Sequence, residues 1–147
     1  MIFKKINPII IDIETSGLNT TKNALIEIAL INIKLNSKNK ILPNKILHLQ
    51  INPFKNAKIN KISLKCNKID LFQKIRFPIN EKEAIIYILE FIKKTTIKNN
   101  KKCILVGHNC WFDLIFLNNL ISRTKKTNSY YHKFNIIDIA TLGNTMY

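Results

Sequence analysis

Pro8-Ile9-Ile10-Ile11-Asp12-Ile13-Glu14-Thr15-Ser16-Gly17 is the stretch on which the reading of this chain turns. Its run of isoleucines reads as a strand from the centre of a sheet, buried on both faces. Yet Asp12 and Glu14 stand at its carboxyl end. In an extended strand residues i and i+2 point to the same face, so both acids project together. Two like charges close together among apolar side chains are unfavourable unless a cation lies between them. The pair therefore reads as part of a divalent-metal site at the end of a central strand.

Working outward, Gly17 and the polar Asn19–Asn23 form a turn. Ala24–Leu35 follows as a second strand, Ser37–Lys40 as a tight turn, and Lys45–Ile51 as a third strand that Asn52-Pro53 stops. Connections this short make the three strands an antiparallel meander. Residues 59–66 suggest a short helix. Residues 81–97 suggest a longer one, in which Ala84, Ile85, Ile88, Leu89 and Ile92 make a single apolar stripe. Asn80 is placed to cap it, with Glu81 and Glu83 in its first turn. Cys103–Gly107 is a fourth, buried strand; residues 111–123 form a helix, and residues 134–137 a fifth short strand. The plan is α/β with a mixed five-stranded sheet. In such sheets sites gather at the carboxyl ends of the central strands. Gly107-His108-Asn109-Cys110-Trp111-Phe112-Asp113 arrives at such an end. Asp113 lies one turn into its helix and is expected to face the first strand. It would complete a three-carboxylate cluster with Asp12 and Glu14, an oxygen-rich site suited to Mg²⁺ or Mn²⁺.

The composition narrows the class of protein. At 147 residues, 46% of them hydrophobic, the chain reads as one globular domain. The formal charge of +15 points to a polyanionic partner such as nucleic acid. That signal is diluted by composition, since lysine, asparagine and isoleucine make up nearly half the chain and all have AT-rich codons. Only nine residues are acidic, and Asp12, Glu14, Asp113 and Asp138 lie within or beside apolar runs. Codon drift explains surface lysines; it does not explain carboxylates placed among isoleucines. Cys66, Cys103 and Cys110 are odd in number and lack CxxC spacing, which favours reduced thiols in a cytoplasmic protein over a disulfide frame or zinc site. No apolar stretch of about 20 residues is present to span a membrane, and acids interrupt the first apolar run too early for a signal peptide.

Together Asp12-x-Glu14-Thr15-x-Gly17 and His108-Asn109-x-x-Phe112-Asp113 resemble the first two signatures of the DEDDh 3′→5′ exonucleases, and within them the ribonuclease T branch. Ala24-Leu25-Ile26-Glu27-Ile28-Ala29, Leu47-His48-x-x-Ile51-x-Pro53-Phe54 and Phe134-x-x-x-Asp138-x-Ala140-x-Leu142 extend the resemblance over essentially the whole chain, in order. It implies a ribonuclease H-like exonuclease fold over residues 1–147 and two Mg²⁺ ions, with Mn²⁺ as a substitute. Asp12, Glu14 and Asp113 become metal ligands, and Phe112 and Phe134 stack on the last bases of an RNA 3′ end. Core packing is the other reading of both rings. For Asp138 capping, or hydrogen bonding behind the metal ligands, is favoured over ligation, and for His108 a structural loop role over that of a base. The activity implied is trimming of 3′ ends of tRNA and other structured RNAs by a homodimer whose basic patches present RNA. Lys4, Lys5, Lys101, Lys102, Lys125 and Lys126 are candidates for that patch.

The sequence also departs from the branch. Its third signature, a histidine followed five residues later by an aspartate, is expected beyond Leu142 and is absent, as are the terminal helices. This implies an exonuclease domain incomplete at its C-terminus, with impaired activity. Leu18, Ile62 and Cys66 stand where the branch has aromatic and acidic substrate contacts. The alternatives are a DNA-proofreading exonuclease or oligoribonuclease relative, a non-catalytic RNA-binding module, and a degraded remnant.

Overall fold

In a computed structural model of the protein, residues 7–96, 102–127 and 130–144 are described. The strands are β1 (Asn7–Thr15), β2 (Leu25–Leu35), β3 (Ile41–Gln50), β4 (Cys103–Gly107) and β5 (Tyr131–Asp138). The helices are α1 (Lys61–Asn67), α2 (Glu81–Thr96), α3 (Cys110–Arg123) and α4 (Ile139–Asn144). Short turns fold β1, β2 and β3 into the expected antiparallel meander. The long crossovers that contain α2 and α3 bring β4 and β5 in parallel to β1, as a helical connection allows. The result is one mixed five-stranded sheet in the order β3-β2-β1-β4-β5, with β1 at its centre.

Ile9, Ile11 and Ile13 of β1 share a buried cluster with Ile85, Ile88 and Ile92 of α2 and Leu114, Leu117 and Leu120 of α3. Their stripes follow the helical period, so the burial of these faces is what holds the helices on the sheet. Among the described residues, helices α2 and α3 cover this face of β1. On the other face Ile10 is 36% exposed and Asp12 is exposed, which corrects the expectation of a strand buried on both sides. Isoleucine occupies both faces of the run, so hydrophobicity alone could not tell one covered side from two.

The boundaries moved where a partner strand overrode the local sequence. β3 begins at Ile41 rather than Lys45 and includes Pro43, paired opposite Ile33 beyond a register shift at Asn32/Ile33. As an edge strand it tolerates a residue that cannot donate to a second ladder. β5 reaches back to the fully buried Tyr131, and α4 adds six residues that carry no apolar stripe to announce them. α2 keeps its expected start, where the Glu83 N–H donates to Asn80 Oδ1 (3.0 Å) and the Asn80 N–H to Glu83 Oε2 (3.2 Å). Its last expected residue, Ile97, lies outside the described residues.

Gly107 ends β4 close against the backbone of β1. A Cβ there would lie 2.9 Å from the Ile11 carbonyl oxygen and 3.3 Å from the Cys110 side chain. Gly107→Ala is therefore expected to lower stability by about 1–3 kcal/mol, as overpacking does. The midpoint of urea unfolding measures this; an unchanged midpoint would mean that β1 and β4 part without strain.

Candidate active site

The pairing of β1 with β4 ends at Ile10↔Val106, whereas β1 runs on to Thr15. Asp12 and Glu14 thus project past the end of β4, on the uncovered face of the sheet. Across the ladder Asp12 faces Ala29 and then His48, and Glu14 faces Glu27 and then Gln50. Asp12, Glu14, Glu27 and His48 line a cleft of about 150 Å³ on that face. Burial, the Asp12 charge and the Glu27 charge all push the Glu14 carboxyl above its ordinary range.

Asp113 arrives from the first turn of α3 and is only 5% exposed. Burial pushes its carboxyl up to about 7, with the Asp12 and Asp138 charges adding to the rise. Its own backbone amide and that of Ile13 oppose the rise. Its carboxylate thus lies within electrostatic reach of Asp12 and beside the backbone of β1. Among the described residues no three acidic, histidine or cysteine side chains close into a ready-made metal cage. The donors are nonetheless of the right kind: hard carboxylate oxygens whose mutual repulsion a divalent cation would relieve.

Several residues hold this arrangement. Asp138 Oδ1 accepts from the backbone N–H groups of Asn109 and Ala140, both at 3.0 Å. It ties the β4–α3 turn to β5 and caps α4, the capping role read from the sequence. Asn109 has a left-handed backbone (φ 53°), which asparagine adopts more readily than most residues. His108 is exposed in the same turn. After Glu14, the Ser16 hydroxyl donates to the Lys58 carbonyl and accepts from the Ala24 N–H, both at 2.8 Å. The Asn23 side chain donates to the carbonyls of Ser16 and Lys58 and packs over Gly17, whose φ of 155° suits glycine. α1 is docked beside the acids by the Asn60 N–H on the Ser16 carbonyl (2.8 Å) and by Asn67 Nδ2 on the Thr15 carbonyl (3.0 Å). Leu18, Ile62 and Cys66 are exposed around it.

Sequence reasoning missed the support beneath Glu27. The β1–β2 register shifts after Glu14, opposite Ile26. The Ile26 carbonyl accepts from the Ile51 N–H (2.9 Å) and from Arg76 Nη2 (3.3 Å). Arg76 Nη1 also donates to Glu27 Oε1 at 2.5 Å, while His48 Nε2 and Gln50 Nε2 each lie 3.4 Å from a Glu27 oxygen. Counting the register could have placed Glu27 opposite Glu14; nothing local marks Arg76, which lies in an irregular segment.

The aromatic candidates differ in surroundings. The Phe112 ring packs against Phe116, with centroids 4.9 Å apart and planes tilted by 56°, and joins the edge of the core. Phe134 on β5 is 77% exposed. Cys103 and Cys110 are buried, with thiols pushed up to about 12 by burial, which makes them packing groups and poor nucleophiles. Lys102, Lys125 and Lys126 are exposed, while Lys4, Lys5 and Lys101 lie outside the described residues.

The family model described as exonuclease matches residues 9–145. The chain belongs to the ribonuclease T-type exonuclease family. Ribonuclease T of Buchnera aphidicola subsp. Baizongia pistaciae is 41% identical over 142 residues, covering 96% of this chain and 65% of that protein. Ribonuclease T of Haemophilus ducreyi is 34% identical over 146 residues, covering 99% and 68%. The chain thus spans about two thirds of the length of these curated relatives. Among solved structures, E. coli exonuclease I in complex with a dA16 oligonucleotide superposes with a TM-score of 0.75 at 16% identity, over 97% of this chain and 30% of that one. Apo exonuclease I gives 0.74 at 16% identity, over 97% and 31%. At such low identity these matches speak for the fold, and they agree with the ribonuclease H-like exonuclease architecture expected from the sequence. The family generally uses divalent metal ions, in keeping with an acid pair at the carboxyl end of β1. No helix among the described residues is long and apolar enough to cross a membrane.

Proposed function

We propose that this chain is a Mg²⁺-dependent 3′→5′ exoribonuclease that trims 3′ ends of tRNA and other structured RNAs. One observation carries the reading: Asp12 and Glu14 project together past the end of β4, with the buried Asp113 carboxyl pushed up to about 7 partly by the Asp12 charge. Relatives named ribonuclease T at 34–41% identity support the RNA substrate, and the net charge of +15 suits a polyanion. Asp12, Glu14 and Asp113 hold the metal. When bound, such ions act as Lewis acids toward the scissile phosphodiester and its attacking water. The chain itself places the carboxylates, keeps the turn after β4 fixed through Asp138, and offers Phe112 and Phe134 to the terminal bases. The protein acts in the cytoplasm as a homodimer, with residues 1–147 as its exonuclease domain.

The test is an RNA carrying a 5′ label and a short 3′ overhang, incubated with Mg²⁺. Products shortened stepwise from the 3′ end are expected, and EDTA should stop them. Internal fragments, or trimming that EDTA leaves untouched, would reject the reading, and trimming as fast as by a full-length relative would refute the impairment expected from the absent third signature.

The Asp113 shift gives a second test. A carboxyl raised from 3.8 to about 7 in the folded state binds more protons there than in the unfolded chain. The stability it contributes is complete at acidic pH and is lost as pH rises through about 7. A cation requires the carboxylate, so its binding releases that proton. The rise in Tm on adding Mg²⁺ or Mn²⁺ is therefore expected to grow between about pH 6 and 8. Asp113→Asn should flatten that dependence; the same growth in the variant would dissociate Asp113 from the metal.

A further inference from the structure

We propose that Glu27 is a positioning residue of the acid group: locked by Arg76 opposite Glu14, its fixed charge strengthens the hold of Asp12 and Glu14 on a divalent cation. This rests on the nuclease reading of the site. Glu14 and Glu27 are direct partners across the β1–β2 ladder, where opposite residues point to one face. Both line the cleft of about 150 Å³, with Asp12 and His48. Like charges set opposite each other in a ladder are destabilising. An apolar residue at position 27 would remove that repulsion, and with it the need for a buried arginine. The fold instead keeps the second acid and commits a buried guanidinium to it.

Arg76 fixes where that charge lies. Its side chain is 5% exposed, against 19% for Glu27, and its Nη1 donates to Glu27 Oε1. Nη2 donates to the Ile26 carbonyl (3.3 Å), opposite the register shift that follows Glu14. From β3, His48 Nε2 and Gln50 Nε2 approach the two carboxylate oxygens, each at 3.4 Å. Among the described residues Arg76 is not part of the cleft lining, so the ion pair turns its negative end toward Asp12 and Glu14. Burial and the Asp12 charge raise the Glu14 carboxyl above its ordinary range, and the Glu27 charge raises it further. The same field that opposes another negative charge at Glu14 attracts a cation to the acids. Groups behind metal-ligating side chains tune metal affinity in this way, by about 10- to 100-fold.

Mn²⁺ reports binding without turnover, because its electron paramagnetic resonance signal is strong when free and broadened when bound. The parent, stripped with EDTA and dialysed, is expected to bind Mn²⁺. Glu27→Gln removes the charge but keeps an oxygen for Arg76, and should bind the ion about 10- to 100-fold more weakly. Glu27→Leu with Arg76→Met should bind as weakly, even where its urea midpoint returns toward the parent. That outcome separates a role toward the cation from one in stability alone. Glu81→Gln is the control for lost stability. It breaks the Arg123–Glu81 ion pair (2.7 Å) between the helices on the other face of the sheet, and should leave the Mn²⁺ affinity unchanged.

Parental Mn²⁺ affinity in either Glu27 variant would overturn the proposal. So would a parent that binds no Mn²⁺, or a Glu81→Gln chain weakened as much as Glu27→Gln, which would assign the effect to stability. Stepwise Mg²⁺-dependent trimming by a chain whose Mn²⁺ affinity ignores Glu27 would refute the positioning role and leave the nuclease reading standing. Weakened Mn²⁺ binding in both Glu27 variants, in a protein that trims nothing, would support the positioning role and reject the nuclease reading.

Discussion

Replacing Asp12 by alanine is expected to slow Mg²⁺-dependent 3′-end trimming by about 10³-fold or more. Divalent ions in such sites contribute several kcal/mol of charge stabilisation, and each 1.36 kcal/mol is tenfold in rate. Asp12 stands beside Glu14 on one face of β1 and its charge is felt by Asp113, so its removal dismantles the centre of the acid group. The fold should survive, because Asp12 is exposed and its loss removes repulsion rather than packing. Circular dichroism should be unchanged and Mg²⁺ should no longer raise Tm. A rate within about tenfold of the parent would take the acid pair out of the mechanism.

The second large effect concerns stability. Glu27→Ala is expected to cost about 3 kcal/mol, because it strands Arg76, whose side chain is only 5% exposed. Arg76 would keep its bond to the Ile26 carbonyl, but its Nε already lacks a partner among the described residues. Replacing both members by apolar residues, Glu27→Leu with Arg76→Met, is expected to bring stability back toward the parent, since no charge is then left buried alone. Urea midpoints of the two single variants and the double variant decide it. A double variant as unstable as Glu27→Ala would show that packing, rather than the stranded guanidinium, sets the cost.

What could be read in advance depended on how local each signal was. The acid pair, the central strand and the capping box at Asn80 and Glu83 are written in adjacent residues with fixed periodicity, and the meander follows from turn length. Asp113 required only the further step of counting one turn into α3. The extension of β3 through Pro43 and of β5 back to Tyr131 were not legible, because each is dictated by the strand alongside. The uncovered face of β1 was hidden by isoleucines that occupy both sides of the run. Arg76 is the extreme case. It reaches Glu27 across 49 residues from a stretch without period or motif, and only the folded backbone brings the two together.

The uneven exposure of the three cysteines has a practical consequence. Cys103 and Cys110 are sealed in the interior with thiols that resist ionisation, whereas Cys66 is open to solvent. A maleimide dye should therefore attach to the native chain at one place, with no engineered handle. That place adjoins Asn67, whose amide grips the end of β1, so the fluorophore would sit at the doorstep of the acid pair and report arrivals there in real time.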